Sequence, residues 1–159
     1  MVFARDEDSA SDLCKAWRER DRVQKTYLAR VTQWPPLGHQ GEINLALSQS
    51  DAHLKWKVDT KGKPCQTIWR VERRELDSIL LSLTPITGRT HQLRIHCAEI
   101  GSGIQGDSLY GTNGPKHVVD PRNPEATKLL LHAHKLMLPH PKTGEQHEFT
   151  SSPSWDSES

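Results

Sequence analysis

Two arginines and two histidines stand within eight residues of the segment 87–96, which reads TGRTHQLRIH. Guanidinium groups pair with phosphate or carboxylate through two parallel hydrogen bonds, and imidazole exchanges a proton near neutral pH. A turn at Gly88 that opens a helix would aim these side chains and free backbone N–H groups at one spot, which suits an anion. The alternative is the solvated start of a helix that carries a few surface cations.

The elements that must position this segment are a strand before it and a helix within it. The apolar run predicts a strand over Ser78–Leu83. A helix is predicted from about Thr90 to Ile100, because a glycine stands in the usual stop position after it. On that helix Leu93, Cys97 and Ile100 share one face, which we expect to be buried.

The other elements predict an α+β fold with a mixed, mostly antiparallel sheet and a few packed helices. A first helix is expected over Ser9–Arg22, with Ser9 or Ser11 as its cap and Leu13 and Trp17 on its apolar side. Alternating apolar and polar residues predict further strands. They are Lys25–Thr32, Glu42–Leu47, His53–Val58, Gln66–Glu72, Lys128–Leu138 and Gln146–Thr150. One domain is expected over residues 1–150, with a disordered, serine-rich tail over residues 151–159.

The bulk properties exclude some classes of function. The 21 basic and 20 acidic residues nearly cancel, so no overall field attracts nucleic acid, although a local basic groove stays possible. Three scattered cysteines argue against a disulfide framework and predict an intracellular, reducing compartment, with cytoplasm, nucleus and organelle left open. The nine histidines lack the helical spacing of a zinc pair, so no metal is expected. No apolar run reaches the roughly 18–20 residues of a membrane span, so no membrane partner is expected.

The segment 87–96 resembles the T-G-R-T-H-Q-L-R-x-H signature of the RluA-type RNA pseudouridine synthases. Four more segments resemble motifs of that family in the same order: KTYLA at 25–29, GSGIQGDSLYG at 101–111, LLLHA at 129–133, and HP with TGE at 140–145. The resemblance covers about Val2 to Pro153. It implies the mixed-sheet synthase fold and the isomerisation of uridine in RNA without a cofactor. In that reaction the glycosidic bond breaks, the base turns, and C5 replaces N1 on the ribose.

The resemblance also assigns catalytic roles. Arg94, the second arginine of the signature, would pair with the nucleophilic aspartate and keep it ionised; the alternative is a surface arginine on an amphipathic helix. Tyr27 would stack on the flipped base and assist its deprotonation; the alternative is a core tyrosine on an alternating strand. Asp107 and Tyr110 are expected to fix the loop after Gly106 rather than to touch the substrate.

Other positions are expected to contact RNA or to line the pocket. The expected RNA-binding residues are Lys25, Arg89, His91 and Gln92, and the expected pocket wall is Leu130 and Leu131. Arg89 lies in the turn and suits a phosphate, or is a solvated turn residue. His91 and Gln92 either hydrogen-bond RNA or cap the helix. The partner is RNA, with ribosomal, transfer and messenger RNA left open, and a monomer is favoured.

The family's nucleophilic aspartate stands in a loop that reads R-L-D-x-x-T-S-G, directly before a strand of the type L-L-V-F-A-R. This chain begins MVFAR. The internal string RELD at 74–77 has an inserted glutamate and no T-S-G after it, and Asp6, Asp8 and Asp12 lie in a predicted helix. We therefore expect an N-terminally incomplete synthase domain that is inactive as the chain stands. A catalytically dead RNA-binding module of the same fold and a metal-dependent hydrolase are the alternatives.

Overall fold

A computed structural model describes residues 2–19, 21–32, 38–50, 55–76, 78–111 and 128–156. The helices in these ranges are α1 (Glu7–Arg18) and α2 (Gln92–Glu99). The strands are β1 (Gln24–Thr32), β2 (Gln40–Gln49), β3 (Trp56–Val58), β4 (Lys63–Arg74), β5 (Ser78–Pro85), β6 (Leu131–Pro139) and β7 (Gln146–Thr150). Hydrogen bonds connect the strands in the order β3-β2-β4-β5-β1-β6-β7, and the α+β fold class is confirmed. Neither described helix has the length and apolar character needed to cross a membrane.

The chain forms two compact units, residues 1–26 with 133–159 and residues 27–132. In the first unit, α1 begins earlier than predicted. Asp6 has an extended backbone and its Oδ1 accepts the Ser9 N–H at 2.8 Å, which makes Asp6 the N-cap. The predicted serine caps are therefore wrong, because Ser9 and Ser11 lie inside the helix. The helix also ends at Arg18 instead of Arg22, since Glu19 turns back to an extended conformation.

The buried side of α1 differs in part from the predicted one. Ala16 is 2% exposed and packs with Val23 and Leu138, and Leu13 packs against this cluster as expected. Trp17, which was expected on the apolar side, is 43% exposed. A helix of this length buries a narrow stripe, and the stripe runs through Leu13 and Ala16.

The hairpin of β6 and β7 also belongs to the first unit for most of its length. His140 Nδ1 accepts the N–H groups of Lys142 and Thr143 at 3.3 and 3.2 Å, and Gly144 adopts a φ of +74°. The two strands predicted in this part of the chain are therefore confirmed, and they pair antiparallel around this turn. After β7, the Ser151 N–H donates to the His134 carbonyl at 2.8 Å, and residues 157–159 of the predicted tail lie outside the described residues.

The second unit holds the main apolar core. On β1, Ala29 and Val31 are fully buried and lie opposite Leu81 and Ile79 of β5, as the alternating pattern predicts. β2 and β4 extend further than predicted, to 10 and 12 residues, because they pair with each other along most of their length. Of the predicted strand His53–Val58, the described part is a strand from Trp56 onwards, and His53 and Leu54 lie outside the described residues.

Helix α2 is buried on two sides, and this burial fixes the signature segment in space. Leu93 and Cys97 pack into the main core, with Ile100 beside them, so the predicted apolar face is confirmed. Ile95 packs into a second cluster with Leu47 and Cys65. Burial raises the pKa of the Cys97 thiol to about 12 and also raises the pKa of Cys65, whereas Cys14 is exposed.

Candidate active site

The turn that leads into α2 is bound to strand β4 through one buried side chain. Gln92 is 3% exposed, and its Oε1 accepts the Thr87 hydroxyl at 2.7 Å and the Arg89 N–H at 3.1 Å. Its Nε2 donates to the Gln66 carbonyl at 2.9 Å and to the Thr67 hydroxyl at 3.0 Å. Because these four bonds use both ends of the amide, Gln92 holds the turn in place, and its contact with RNA stays a prediction.

His91 is the N-cap of α2 and adopts a left-handed conformation, with φ +55°. Its Nδ1 lies 3.1 Å from the Tyr110 hydroxyl, and that hydroxyl accepts the Trp56 N–H at 2.9 Å. Burial lowers the pKa of His91, the charge of Arg94 lowers it further, and Asp107 acts in the opposite direction. The ring is therefore neutral at pH 7, and its contact with RNA stays a prediction.

Arg94 and Asp107 form a largely buried ion pair. Arg94 Nε donates to Asp107 Oδ2 at 2.7 Å and Nη2 donates to Oδ1 at 2.6 Å, which is a two-bond guanidinium–carboxylate pair. The carboxylate is 0% exposed and the guanidinium side chain is 15% exposed. The guanidinium also lies 5.2 Å from the centre of the Tyr110 ring. The predicted pairing of Arg94 with a nucleophilic aspartate stays a prediction.

Asp107 also holds its own loop. Its Oδ1 accepts the N–H groups of Leu109 and Tyr110, both at 2.9 Å, so the expectation that Asp107 fixes this loop is confirmed. Burial alone raises the pKa of Asp107, but the hydrogen bonds from Arg94 and from the two backbone N–H groups outweigh it. The pKa therefore lies below its usual value. Asp107 is ionised at neutral pH.

The loop that carries Asp107 touches the segment before β6. Gly106 has a φ of +76°, and a Cβ at this position would lie 2.0 Å from the Lys128 carbonyl oxygen, so only glycine fits there. The Leu130 N–H donates to the Gln105 carbonyl at 2.9 Å, and the Leu130 carbonyl accepts the Arg30 N–H at 3.0 Å. Leu130 and Leu131 are both half-buried, and their place in a pocket wall stays a prediction.

The remaining predicted site residues lie on β1 and in the turn. Tyr27 is half-buried against the core cluster that includes Leu93, and burial raises its pKa, so the phenol is neutral. Lys25 is half-exposed and lies two residues before Tyr27 on the same strand. Arg89 is half-exposed, and no described residue forms an ion pair with it.

The structure thus brings His91 and Arg94 of the signature together with Tyr110 and Asp107 of the GDSLYG loop. Trp56 of β3 joins this group through its N–H. The predicted site contained neither Trp56 nor the Arg94–Asp107 pair. Asp107 belongs to the GDSLYG motif, so the sequence could have indicated it as a site residue, whereas no motif of the sequence includes Trp56. Among the described residues, no cluster of three or more His, Cys, Asp or Glu side chains suits a metal ion.

His96, the last residue of the signature, is a fully buried histidine of α2. Its side chain is 0% exposed, and neither ring nitrogen has a hydrogen-bond partner among the described residues. Burial lowers the pKa of His96 to about 4, and a backbone contact with Leu45 acts more weakly in the opposite direction. A buried histidine in this position is a neutral core residue, and it makes folding sensitive to acid.

We expect that the free energy of unfolding falls as the pH decreases from 6.5 towards 4. In that range the unfolded chain binds a proton at His96 that the folded chain does not, which costs about 2.5 kcal/mol at pH 4.5. His96→Leu should remove this part of the acid sensitivity, measured by urea unfolding at pH 7.5 and 4.5. The exposed His147, changed to Leu, is the matched control. Equal pH dependence in the wild type and His96→Leu would contradict the assignment.

A family model and several curated proteins match the sequence of this chain. The family model described as RNA pseudouridylate synthase matches residues 1–99, a range that ends with α2. The ribosomal large subunit pseudouridine synthase C of Buchnera aphidicola subsp. Acyrthosiphon pisum is 34% identical over 148 residues, which cover 91% of this chain and 46% of that protein. Its namesake from Escherichia coli K12 is 32% identical over 148 residues, with 91% and 46% covered.

Solved structures agree with the sequence relatives. The structure of human RNA pseudouridylate synthase domain containing 1 superposes with a TM-score of 0.75 at 27% identity, and covers 94% of this chain and 62% of that one. Human RNA pseudouridylate synthase domain containing 4 gives a TM-score of 0.74 at 25% identity, with 98% and 67% covered. The chain spans about half the length of the curated relatives that it matches. From its motifs, its fold and these matches, the chain belongs to the RNA pseudouridylate synthase family.

Proposed function

We propose that this chain provides the RNA-binding groove and the supporting side chains of an RNA pseudouridine synthase. One observation carries the proposal. Hydrogen bonds hold the segment of the family signature in place. Gln92 fixes the turn, and Asp107 holds Arg94 in one orientation while the Arg94 side chain stays 15% exposed. A guanidinium that is both fixed and reachable suits a charged reacting group.

The reaction converts uridine in RNA to pseudouridine. A carboxylate acts at the sugar, the C1′–N1 bond breaks, the base turns, and a C1′–C5 bond forms. The hydrogen at C5 then leaves as a proton and N1 takes up a proton, so atoms and charge balance without an oxidant. In this scheme Arg94 keeps the carboxylate ionised, Tyr27 stacks on the flipped base and assists loss of the proton, and Arg89 binds a phosphate. The carboxylate itself comes from an aspartate that the 159 residues do not include in a matching loop.

We propose RNA of the large ribosomal subunit as the first substrate to test. The relatives from Buchnera and Escherichia coli are named ribosomal large subunit pseudouridine synthases. Transfer and messenger RNA are the alternatives. A fragment of the ribosomal RNA with an unpaired uridine, compared with a transfer RNA and a messenger transcript, distinguishes the three by affinity.

Tyr27→Ala should weaken binding of an RNA hairpin with an unpaired uridine by about 5- to 150-fold, because stacking on a base contributes ~1–3 kcal/mol. Tyr27→Phe keeps the ring and should bind like the wild type. Fluorescence anisotropy with labelled RNA measures both. A fully paired RNA of the same length is the control and should not distinguish Tyr27→Ala from the wild type. Equal losses on the two RNAs would argue for a core tyrosine.

A further inference from the structure

We infer that Asp107 is a positioning residue that reserves Arg94 for the reacting carboxylate and keeps its charge away from the RNA backbone. The inference rests on the RNA binding proposed above. It assigns Asp107 a role beyond fixing its loop, and it separates the tasks of the two arginines in the signature. Arg89 attracts RNA, whereas Arg94 serves the chemistry.

Asp107 occupies one edge of the Arg94 guanidinium and leaves another edge open. Asp107 takes the edge formed by Nε and Nη2, at 2.7 and 2.6 Å. No described residue hydrogen-bonds to Nη1 of Arg94. A guanidinium has five N–H donors in a planar fork, so a second carboxylate can bind at the free edge while the first stays in place.

Neighbouring groups hold both Asp107 and Arg94 in place. Asp107 Oδ1 is held by the N–H groups of Leu109 and Tyr110, and the Tyr110 ring packs against the guanidinium. The Asp107 side chain is fully buried. Arg94 therefore cannot swing out to follow a phosphate without leaving a buried carboxylate unpaired, which is costly.

The two arginines of the signature differ in the charge that they present to RNA. Asp107 is ionised and offsets the charge of Arg94 for distant groups, so the pair attracts a polyanion weakly, whereas a carboxylate in contact with the free edge still meets the guanidinium N–H groups. No described carboxylate is paired with Arg89, which is half-exposed in the turn. We therefore expect an RNA phosphate to bind Arg89 and not Arg94, and counterions to leave the RNA when that contact forms.

The test is the salt dependence of RNA binding by the whole chain, for which no turnover is needed. The variants are Arg94→Met, Asp107→Asn, the double variant and Arg89→Met. Asparagine keeps an Oδ1 acceptor for the two backbone N–H groups of the loop but loses the charge that holds Arg94. Circular dichroism and thermal unfolding report whether each variant is folded.

We expect Arg94→Met to leave the slope of log affinity against log salt unchanged, and Arg89→Met to reduce it by about 0.7–0.9, the value for one phosphate contact. Asp107→Asn should bind RNA several-fold more tightly at low salt and with a steeper slope, because it frees Arg94. The double variant should lose that gain. A gain that persists without Arg94 would reflect the lost negative charge alone and would overturn the inference.

Two other outcomes would contradict the inference. A reduced slope for Arg94→Met would show that Arg94 already contacts phosphate. If Asp107→Asn is folded and weakens RNA binding by the same factor in the wild type and in Arg94→Met, Asp107 has a purely structural role. If Asp107→Asn does not fold, the slope of Arg94→Met decides alone. If the wild-type chain binds no RNA, the proposed function fails and the inference falls with it, whereas a reduced Arg94→Met slope removes the inference and leaves the proposed function intact.

Discussion

Expressed as its 159 residues alone, this chain should release no tritium from RNA that is labelled at C5 of uridine. Pseudouridine formation requires a carboxylate at the sugar, and no aspartate of this sequence stands in a loop that matches the family's. The same chain, fused behind a segment that supplies the R-L-D-x-x-T-S-G loop of the family, should release tritium. The expected difference is the whole of the activity.

The control for this result is the same fusion with its catalytic aspartate changed to asparagine, which should again release nothing. Turnover by the chain alone, lost in Asp6→Asn or Asp8→Asn, would contradict the prediction. The observed role of Asp6 already points away from that outcome, because its carboxylate caps α1 and lies 3.4 Å from the Lys142 ammonium.

In the active fusion, Arg94→Met should lower the single-turnover rate at saturating RNA by orders of magnitude, with a modest change in affinity. An arginine that keeps a partly buried carboxylate ionised contributes mainly to the chemical step. Rapid-quench measurements at saturating RNA give the rate, and anisotropy gives the affinity.

Arg89→Met is the matched variant for this experiment, because it removes the other arginine of the same segment. It should weaken binding and leave the saturated rate almost unchanged. If Arg94→Met keeps the saturated rate and only weakens binding, the roles of the two arginines are exchanged. Arg89 would then be the partner of the aspartate.

The local parts of the fold could be predicted from the sequence. The burial of Leu93 and Cys97 follows from helical periodicity, and the burial of Ala29 and Val31 follows from strand alternation. The cap of α1 was missed because several residues near its start can accept a backbone N–H, and only the backbone conformation selects Asp6. The lengths of β2 and β4 depend on their mutual pairing, which no local pattern encodes.

The candidate site was predictable in its residues but not in its contacts. The signature named Arg94, but its partner Asp107 lies 13 positions away, beyond the end of α2. The hydrogen bonds that Gln92 Nε2 donates could not be predicted from the sequence, because their acceptors lie on β4, 25 or more positions earlier in the chain. Such bonds depend on the register of the sheet, which forms only when distant strands meet.

The burial of two of the three cysteines gives the chain a single reactive thiol. A maleimide dye reacts with the thiolate form, which is suppressed at Cys97 and disfavoured at Cys65 by the raised pKa of each. Cys14 is exposed on α1. A fluorophore can therefore be attached at Cys14 without substitution of any residue. Energy transfer between this dye and a labelled RNA would then report the distance between Cys14 and the RNA label.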